Sequence, residues 1–434
     1  MLFVVCSFAD SYVRQPSIDA IHYAISLELT DASNFIAGTT KIQVRIRSES
    51  ASDMWLDFED MSIDRSLVGG VERPFSFHDG RPAFEFGRTY SRNEIVLIEV
   101  GYHGKPQLGL LSGENRYGGR VVFADNWPSN AHHWFPSIDH PSDKATVSLA
   151  VTAPAKYDIV ANGRMEQAIL LPDNRKRTEW TENRAIPTYC MVFGMAEFSI
   201  KNPKATATVP LAWYAYPQDA EVAARKFSRT ALILAYFGNL IGPYPYEKLA
   251  QVESIIRMGG MENSSAIFYS EASFLGVPVS EDPVAHEIAH QWFGDSVTEA
   301  DWDDLWLSEG FADDFEALFY EHSRGPEAMT LAMAQYAKSI MEYKPARSAP
   351  IVDPRQTDPM KKLNPLKYGK GAWVLLMLRG ILGDKEFFAG IRKYYRMYEG
   401  RNSSSSEFQK VMESVGGVNL SRFFRQWLYP GGMA

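Results

Sequence analysis

Cysteine is almost absent from this chain of 434 residues, which contains only Cys6 and Cys190. Two cysteines exclude a small fold held together by disulfides. Cys190 lies in the apolar run TYCMVFGMAEF and is therefore predicted to be a buried free thiol. Long apolar runs are also missing. The apolar run at the N-terminus, MLFVV, is far too short to span a bilayer. The sequence predicts no integral membrane segment.

The N-terminal segment MLFVVCSFADSYV has no Lys or Arg before its apolar run. Ser7 and Ala9 are small residues at the −3 and −1 spacing of a signal-peptidase site, so the segment resembles the end of an export signal. A frayed terminus is the alternative. We expect an exported protein, periplasmic or extracellular, in preference to a cytoplasmic one.

The chain has no excess of positive charge, since 44 basic side chains face 53 acidic ones and give a formal net charge of −9. Proteins that bind nucleic acid or anionic lipid usually carry a basic surface, and this balance predicts neither partner. Internal repeats are also absent from the sequence. Small or peptide substrates fit this composition better.

The pattern of apolar and polar residues differs between the two halves of the chain. From about His22 to Ser199, short runs such as HYAISLEL and TKIQVRIR alternate apolar and polar residues between turn residues, which predicts a mostly antiparallel β-domain. After about Pro203 the apolar residues recur at helical spacing in long runs such as SEGFADDFEALFYEHSRG. We predict two domains, residues 1–200 and 201–434.

The segment PVAHEIAHQWFGD contains His286-Glu287-x-x-His290 in a helical setting. A spacing of four places both imidazoles on one helix face, where they can share one metal ion, and leaves Glu287 beside it as a general base. Two histidines on a solvated helix face are the alternative interpretation. The motif predicts a metallopeptidase centre.

Glu309 follows His290 after 18 intervening residues, in DLWLSEGFADDFEALF. Two imidazoles and one carboxylate leave a fourth position for water, which is typical of catalytic rather than structural zinc. We therefore predict one Zn²⁺ per chain, held by His286, His290 and Glu309. Asp313 and Glu316 follow on the same helical face, and one of them, with Glu316 preferred, is expected to orient a zinc histidine unless both are simply solvated.

Upstream, RMGGMENSSAIFYS offers Gly259, Gly260, Met261, Glu262 and Asn263 as a candidate substrate-binding strand. The glycines allow a peptide to approach the backbone, and Glu262 could hold the α-ammonium group of a free N-terminus. A glycine turn with an exposed glutamate is the alternative.

The combination Gly-Gly-Met-Glu-Asn, His-Glu-x-x-His and a distant Glu resembles the gluzincin aminopeptidases, typified by aminopeptidase N and including leukotriene hydrolase. DHPSDKATVSLAVTAP and YPYEKL resemble further segments of that family, so the similarity extends from about His22 to Trp427. It implies a saddle-like antiparallel β-domain followed by a thermolysin-like α+β zinc peptidase domain. Because the chain stops at QWLYPGGMA, we expect a short, two-domain member that lacks the family's C-terminal helical domain.

The resemblance also assigns Tyr368, in KYGKGAWVLLML, as the tyrosine that stabilises the tetrahedral intermediate. One departure concerns a family Gln or Glu that contacts substrate, because its position falls on Trp127 here. Asn126 or Asp125 are the candidate replacements.

The predicted reaction is hydrolysis of the N-terminal peptide bond, with Glu287 taking a proton from the water held by zinc. Glu262 would select peptides with a free N-terminus, and Tyr368 would stabilise the oxyanion. Two alternatives remain open: a zinc endopeptidase, and a catalytically silent interaction protein.

Overall fold

The computed structural model describes residues 10–203, 209–275 and 282–429. These group into two compact units. The strand unit comprises Arg14–Ala231 and Pro245–Val284, and the helix unit comprises the other described residues. The N-terminal segment with Ser7 and Ala9 lies outside the described residues, so export stays a prediction. Across the described ranges, no helix has the length and apolar character needed to cross a membrane.

The strand unit contains most of the strands. In chain order they are β1 (Ile18–Glu28), β2 (Ile36–Ile46), β3 (Ser50–Trp55), β4 (Met61–Val68), β5 (Val71–Glu72), β6 (Phe75–His78), β7 (Arg81–Ser91), β8 (Ile95–Gly104), β9 (Gly109–Glu114), β10 (Arg120–Asp125), β11 (Lys144–Pro154), β12 (Asp158–Ala161), β13 (Arg164–Leu170), β14 (Arg175–Pro187), β15 (Phe193–Ala196), β16 (Ser199–Lys201), β17 (Leu211–Ala215), β18 (Leu249–Ser254), β19 (Gly260–Met261) and β20 (Ala266–Ser270).

Its largest sheet has eight strands in the order β13-β14-β11-β1-β2-β8-β4-β5. Alternate residues of β1, namely Tyr23, Ile25 and Leu27, are buried, as the period-2 pattern of HYAISLEL predicts. The pairs are antiparallel except that β1 and β11 run parallel. Smaller sheets, β12-β15-β10-β9 and β3-β7-β6, complete the N-terminal β-rich part, and Cys190 is buried as a free thiol.

A five-stranded mixed sheet, in the order β16-β17-β18-β20-β19, also belongs to the strand unit. Residue 200 lies inside β16, where Ile200 pairs with Tyr214 of β17. Asn162 also links the chain before residue 200 to the chain after it, because its amide nitrogen donates to the carbonyl oxygens of Cys190 and Ser264. Residue 200 therefore does not separate the two compact units, and a domain boundary at this residue stays a prediction.

The helices, in chain order, are α1 (Ala220–Lys226), α2 (Thr230–Leu240), α3 (Asp282–His290), α4 (Trp306–Arg324), α5 (Pro326–Glu342), α6 (Pro359–Lys362), α7 (Gly371–Leu382), α8 (Asp384–Tyr398), α9 (Ser405–Gly416) and α10 (Ser421–Leu428). A short parallel pair, β21 (Val297–Glu299) and β22 (Arg401–Ser403), lies in the helix unit.

Local sequence explains where these helices start and stop. Gly325, at φ 94°, ends α4, and Pro326 starts α5 at the position where a missing N–H costs nothing. Ser404 and Glu407 form a capping box that starts α9. The buried face of α4 packs through Phe311, whose ring centroid lies 4.4 Å from that of Phe293. The fold matches the predicted order, β-rich first and helical or mixed afterwards.

Candidate active site

Both histidines of the His-Glu-x-x-His motif lie at the C-terminal end of α3, on one face, as a spacing of four requires. Their Nε2 atoms are 3.1 Å apart. His290 is 1 % exposed and Glu287, between the two histidines, is 6 % exposed. Two imidazole nitrogens this close to one another need a proton or a cation between them.

Glu309 brings a carboxylate to the same point from the first turn of α4. Its Oε2 lies 3.5 Å from Nε2 of His286 and 3.3 Å from Nε2 of His290. A tetrahedral zinc ion with ligand distances of about 2.0–2.1 Å holds its ligand atoms about 3.3 Å apart. The three atoms therefore form one face of a tetrahedron of the size that zinc requires.

The charges around this triangle favour a cation at its centre. Burial would lower the pKa of His286, but hydrogen bonds to Asp313 and Glu309 raise it well above its usual value. Burial would raise the pKa of Glu309, whereas the charges and hydrogen bonds of His290 and His286 lower it to about 2. The carboxylates thus stabilise positive charge at this point, and a divalent metal ion can take the place of the proton between the imidazoles once both are neutral, so the residues present fit a bound divalent metal.

Outer partners fix the orientation of both imidazoles. Nδ1 of His286 lies 3.0 Å from Oδ1 of Asp313. Nδ1 of His290 lies 3.0 Å from Oγ of Ser308 and 3.2 Å from the carbonyl oxygen of Phe293. With each Nδ1 engaged, Nε2 is the nitrogen directed at the metal position. Sequence reasoning missed Ser308 because a serine has no signal that separates it from other helical serines.

The preference for Glu316 as the partner of a zinc histidine is wrong, because Asp313 makes that contact. Asp313 lies one turn beyond Glu309 on α4, about 6 Å along the helix axis, whereas Glu316 lies two turns beyond it, about 10.5 Å along the axis. Oε2 of Glu316 instead accepts a hydrogen bond of 2.7 Å from the hydroxyl of Tyr336. Burial raises the pKa of Glu316 to about 7, against the opposing charge of His286.

Tyr368 lies beside His286, with ring planes inclined by 12° and centroids 6.0 Å apart. It occupies a π-helical turn, Leu366–Lys370, in which the N–H of Lys370 donates to the carbonyl oxygen of Pro365. Such turns are rare and frequently occur at functional sites. Helix α7 follows this turn directly and begins at Gly371.

Glycines allow the turn with Tyr368 to pack tightly against its neighbours. A Cβ atom on Gly371 would lie 2.9 Å from Cα of Gly310, the residue after Glu309. A Cβ atom on Gly369 would lie 2.8 Å from Cβ of Tyr336. Backbone therefore packs directly on backbone where α4 meets α7, and this contact sets the distance between the Glu309 carboxylate and the Tyr368 turn.

The Gly-Gly-Met-Glu-Asn segment belongs to the strand unit. Gly260 and Met261 form β19, the edge strand of the mixed sheet, and pair with Tyr269 and Phe268 of β20. Gly259 accepts a backbone hydrogen bond from Ser270. The residues that follow are buried, Glu262 at 7 % and Asn263 at 1 % exposure. The structure thus places the segment at an edge strand and buries Glu262, and the substrate-binding roles of these residues stay predictions.

Asn126 and Asp125 are the candidates to replace the substrate-contacting Gln or Glu of the family, whose position falls on Trp127. All the hydrogen-bonding groups of the Asn126 side chain are engaged within the protein. Its amide nitrogen donates to two backbone carbonyl oxygens, and its oxygen accepts from the indole of Trp134. Asp125 ends β10, and burial raises its pKa against the charge of Arg257. Asp125 remains the candidate.

Comparison with known families identifies both parts of the chain. The family model described as "Peptidase M1 N-terminal domain" matches residues 19–190, and "Peptidase family M1 domain" matches residues 226–427. The chain belongs to the M1 peptidase family. This family consists of zinc peptidases of the gluzincin type, so the predicted family and the predicted Zn²⁺ cofactor are confirmed.

Curated relatives agree with this assignment. Glutamyl aminopeptidase of Bitis rhinoceros is 26 % identical over 96 % of this chain and 47 % of its own length. Probable aminopeptidase 2 of Sulfurisphaera tokodaii is 26 % identical over 94 % of this chain and 53 % of its own length. The chain spans about half the length of the curated relatives it matches.

Solved structures share the fold across nearly the whole chain. The M1 zinc metallopeptidase of Deinococcus radiodurans superimposes with a TM-score of 0.84 at 24 % identity, covering 97 % of this chain and 95 % of the other. A mutant of that protein bound to a Tyr-Ser-Ala substrate gives a TM-score of 0.81. The two-part architecture predicted from the sequence is therefore confirmed.

Proposed function

We propose that this M1 peptidase is a zinc-dependent aminopeptidase that hydrolyses the N-terminal bond of peptides. The observation that carries the proposal is the triangle of ligand atoms from His286, His290 and Glu309, with sides of 3.1, 3.3 and 3.5 Å. Three protein ligands leave a position open, which is the arrangement of catalytic zinc. The names of the relatives, which are aminopeptidases, support the same reaction class.

A bound zinc ion would supply Lewis acidity, lowering the pKa of water and polarising the scissile carbonyl. Glu287 is the general base in this proposal. It is buried, and as the residue after His286 on α3 it lies next to the metal ligands without being one of the three. A base in this position takes a proton from water and passes it to the leaving amine.

Tyr368 stabilises the developing oxyanion. Its ring is parallel to that of His286, and the π-helical turn holds it there against α4. A preorganised donor that strengthens its hydrogen bond as charge develops contributes about 3 kcal/mol to the transition state.

Substrate binding is assigned to Gly259, Gly260, Met261, Glu262 and Asn263. The outer edge of β19 can add a peptide as a further strand, since its backbone groups on that side pair with no strand of the described sheet. Glu262 then holds the α-ammonium group, which restricts cleavage to the first peptide bond. Peptides with a free N-terminus are the substrates.

The test compares a peptide with a free N-terminus and the same peptide N-acetylated, using wild-type enzyme, Glu287→Gln and Glu262→Gln. We expect cleavage of the free peptide only. Glu287→Gln should keep zinc and lose turnover by orders of magnitude, and Glu262→Gln should mainly raise KM for the free peptide.

Equal cleavage of both peptides by the wild-type enzyme would replace the proposal with a zinc endopeptidase. Loss of zinc in Glu287→Gln would make Glu287 a ligand. Failure to cleave either peptide with zinc bound would favour a catalytically silent interaction protein.

A further inference from the structure

A second histidine pair lies in the strand unit. His132 and His133 are consecutive residues of the 3-10 turn Ala131–His133. One potential ligand atom from each of Glu59, His132 and His133 lies within 4.8 Å of the other two. The two ring centroids are 4.4 Å apart with planes inclined by 31°, whereas those of His286 and His290 are 4.7 Å apart with planes inclined by 77°.

A carboxylate holds each ring of this pair by its Nδ1 atom. Nδ1 of His132 lies 2.7 Å from Oδ2 of Asp139, and Nδ1 of His133 lies 2.7 Å from Oδ2 of Asp60. Donation from Nδ1 to a carboxylate leaves the lone pair on Nε2, which is the state of a metal-ligating histidine.

The environment of Asp139 shows that this arrangement is built into the fold. Asp139 is 2 % exposed and also accepts hydrogen bonds from Oγ1 of Thr188 and from the N–H of His132. Its orientation is therefore fixed by three donors, and the His132 ring is fixed with it.

Backbone contacts bring Glu59 to the pair. Its N–H donates to the carbonyl oxygen of His132 at 3.2 Å, which ties the segment before β4 to the histidine turn. The next residue, Asp60, has φ 63°, a backbone conformation that non-glycine residues rarely adopt. Because of that turn, two consecutive residues can have different roles. Asp60 holds His133, and Glu59 supplies a free carboxylate.

We propose that Glu59, His132 and His133 bind a second divalent transition-metal ion, zinc by the donor set of two imidazoles and one carboxylate. His133 is buried but Glu59 is exposed, so water completes the coordination and the ion exchanges with solvent. Because the ion joins segments more than 70 residues apart in sequence, it stabilises the strand unit. Its binding does not depend on the proposed peptidase activity.

The experiment titrates tag-free, full-length enzyme that carries its catalytic zinc with buffered free Zn²⁺, and measures zinc per chain by elemental analysis together with the thermal unfolding midpoint. We compare wild type with Glu59→Gln and His133→Gln. The first changes an exposed side chain, and the second keeps a donor for Asp60, so both variants are expected to fold. Peptidase activity with one zinc bound checks this in each variant.

The matched control is His103→Gln. Nδ1 of His103 also pairs with a carboxylate, that of Asp64 at 2.6 Å, but His103 belongs to none of the candidate ligand groups found in the described ranges. We expect wild type and His103→Gln to reach two zinc ions per chain with a rise in the unfolding midpoint.

Glu59→Gln and His133→Gln should need at least about tenfold more free zinc for the second ion, since even outer partners of a metal site affect affinity by that factor. A wild-type enzyme that stays at one zinc ion per chain would overturn the proposal. So would unchanged binding of the second ion by both variants, which would leave the two histidines as structural partners of Asp139 and Asp60.

Discussion

The two histidine pairs of this protein use the same residue types in different surroundings. His286 and His290 are one turn apart on α3, while His132 and His133 are adjacent on a 3-10 turn. Carboxylates engage Nδ1 of one histidine in the helical pair and of both in the turn pair. Similar ring separations therefore arise from two unrelated backbone geometries.

The two histidine pairs differ more strongly in the glutamate that accompanies each of them. Glu309 is 4 % exposed and its pKa is lowered to about 2, whereas Glu59 is exposed to solvent. Electrostatic interactions are stronger where water is excluded. The helical pair is thus suited to tight binding and catalysis, and the turn pair to weaker, exchangeable binding.

The largest effect expected from this difference is that of Glu309→Gln. Removing the buried carboxylate should abolish binding of the catalytic zinc and lower kcat/KM by orders of magnitude, because the charge between the imidazoles is no longer balanced. Elemental analysis and peptide hydrolysis measure both. Glu321→Gln, on the same helix, is the control. Retention of the catalytic zinc by Glu309→Gln would remove Glu309 from the ligand set.

An intermediate effect is expected for Asp313→Asn. An amide holds Nδ1 of His286 less well than a carboxylate, so zinc affinity should fall by about 10–100-fold. Glu316→Gln keeps a hydrogen-bond acceptor for Tyr336 and leaves the histidine contact in place, so it should change zinc affinity less. Competition with a chelator of known affinity measures the two. Equal losses would mean that both acidic residues support His286.

The smallest effect is expected for Gly371→Ala, which leaves every ligand in place. The added methyl group would collide with Gly310, and overpacking of this kind costs about 1–3 kcal/mol. Because the shift separates the Tyr368 turn from α4, kcat should fall more than KM rises. Gly380→Ala, on the same helix, is the control, because its Cβ meets nothing within 4 Å. Thermal unfolding and kinetics distinguish the variants, and equal behaviour would contradict the role of the close contact.

Periodicity predicted the major elements because burial on one face leaves a repeating pattern. The alternation in HYAISLEL predicted β1, and helical spacing in SEGFADDFEALFYEHSRG predicted α4. Spacing likewise placed His286 and His290 on one face, since i and i+4 are neighbours on any helix. Compact grouping was not predictable, because the pairing of β16 with β17 joins residues on both sides of position 200.

The sequence by itself determined the family, the helical histidine pair and the order of β-rich and helical parts, since each depends on local spacing or on a contiguous motif. Only the tertiary structure decided that Asp313 rather than Glu316 holds His286, that Gly310 and Gly371 are in contact, and that Glu59 meets His132 and His133. Those outcomes depend on which side chains long-range packing brings together. A repeating pattern within one segment carries no information about its partners in another.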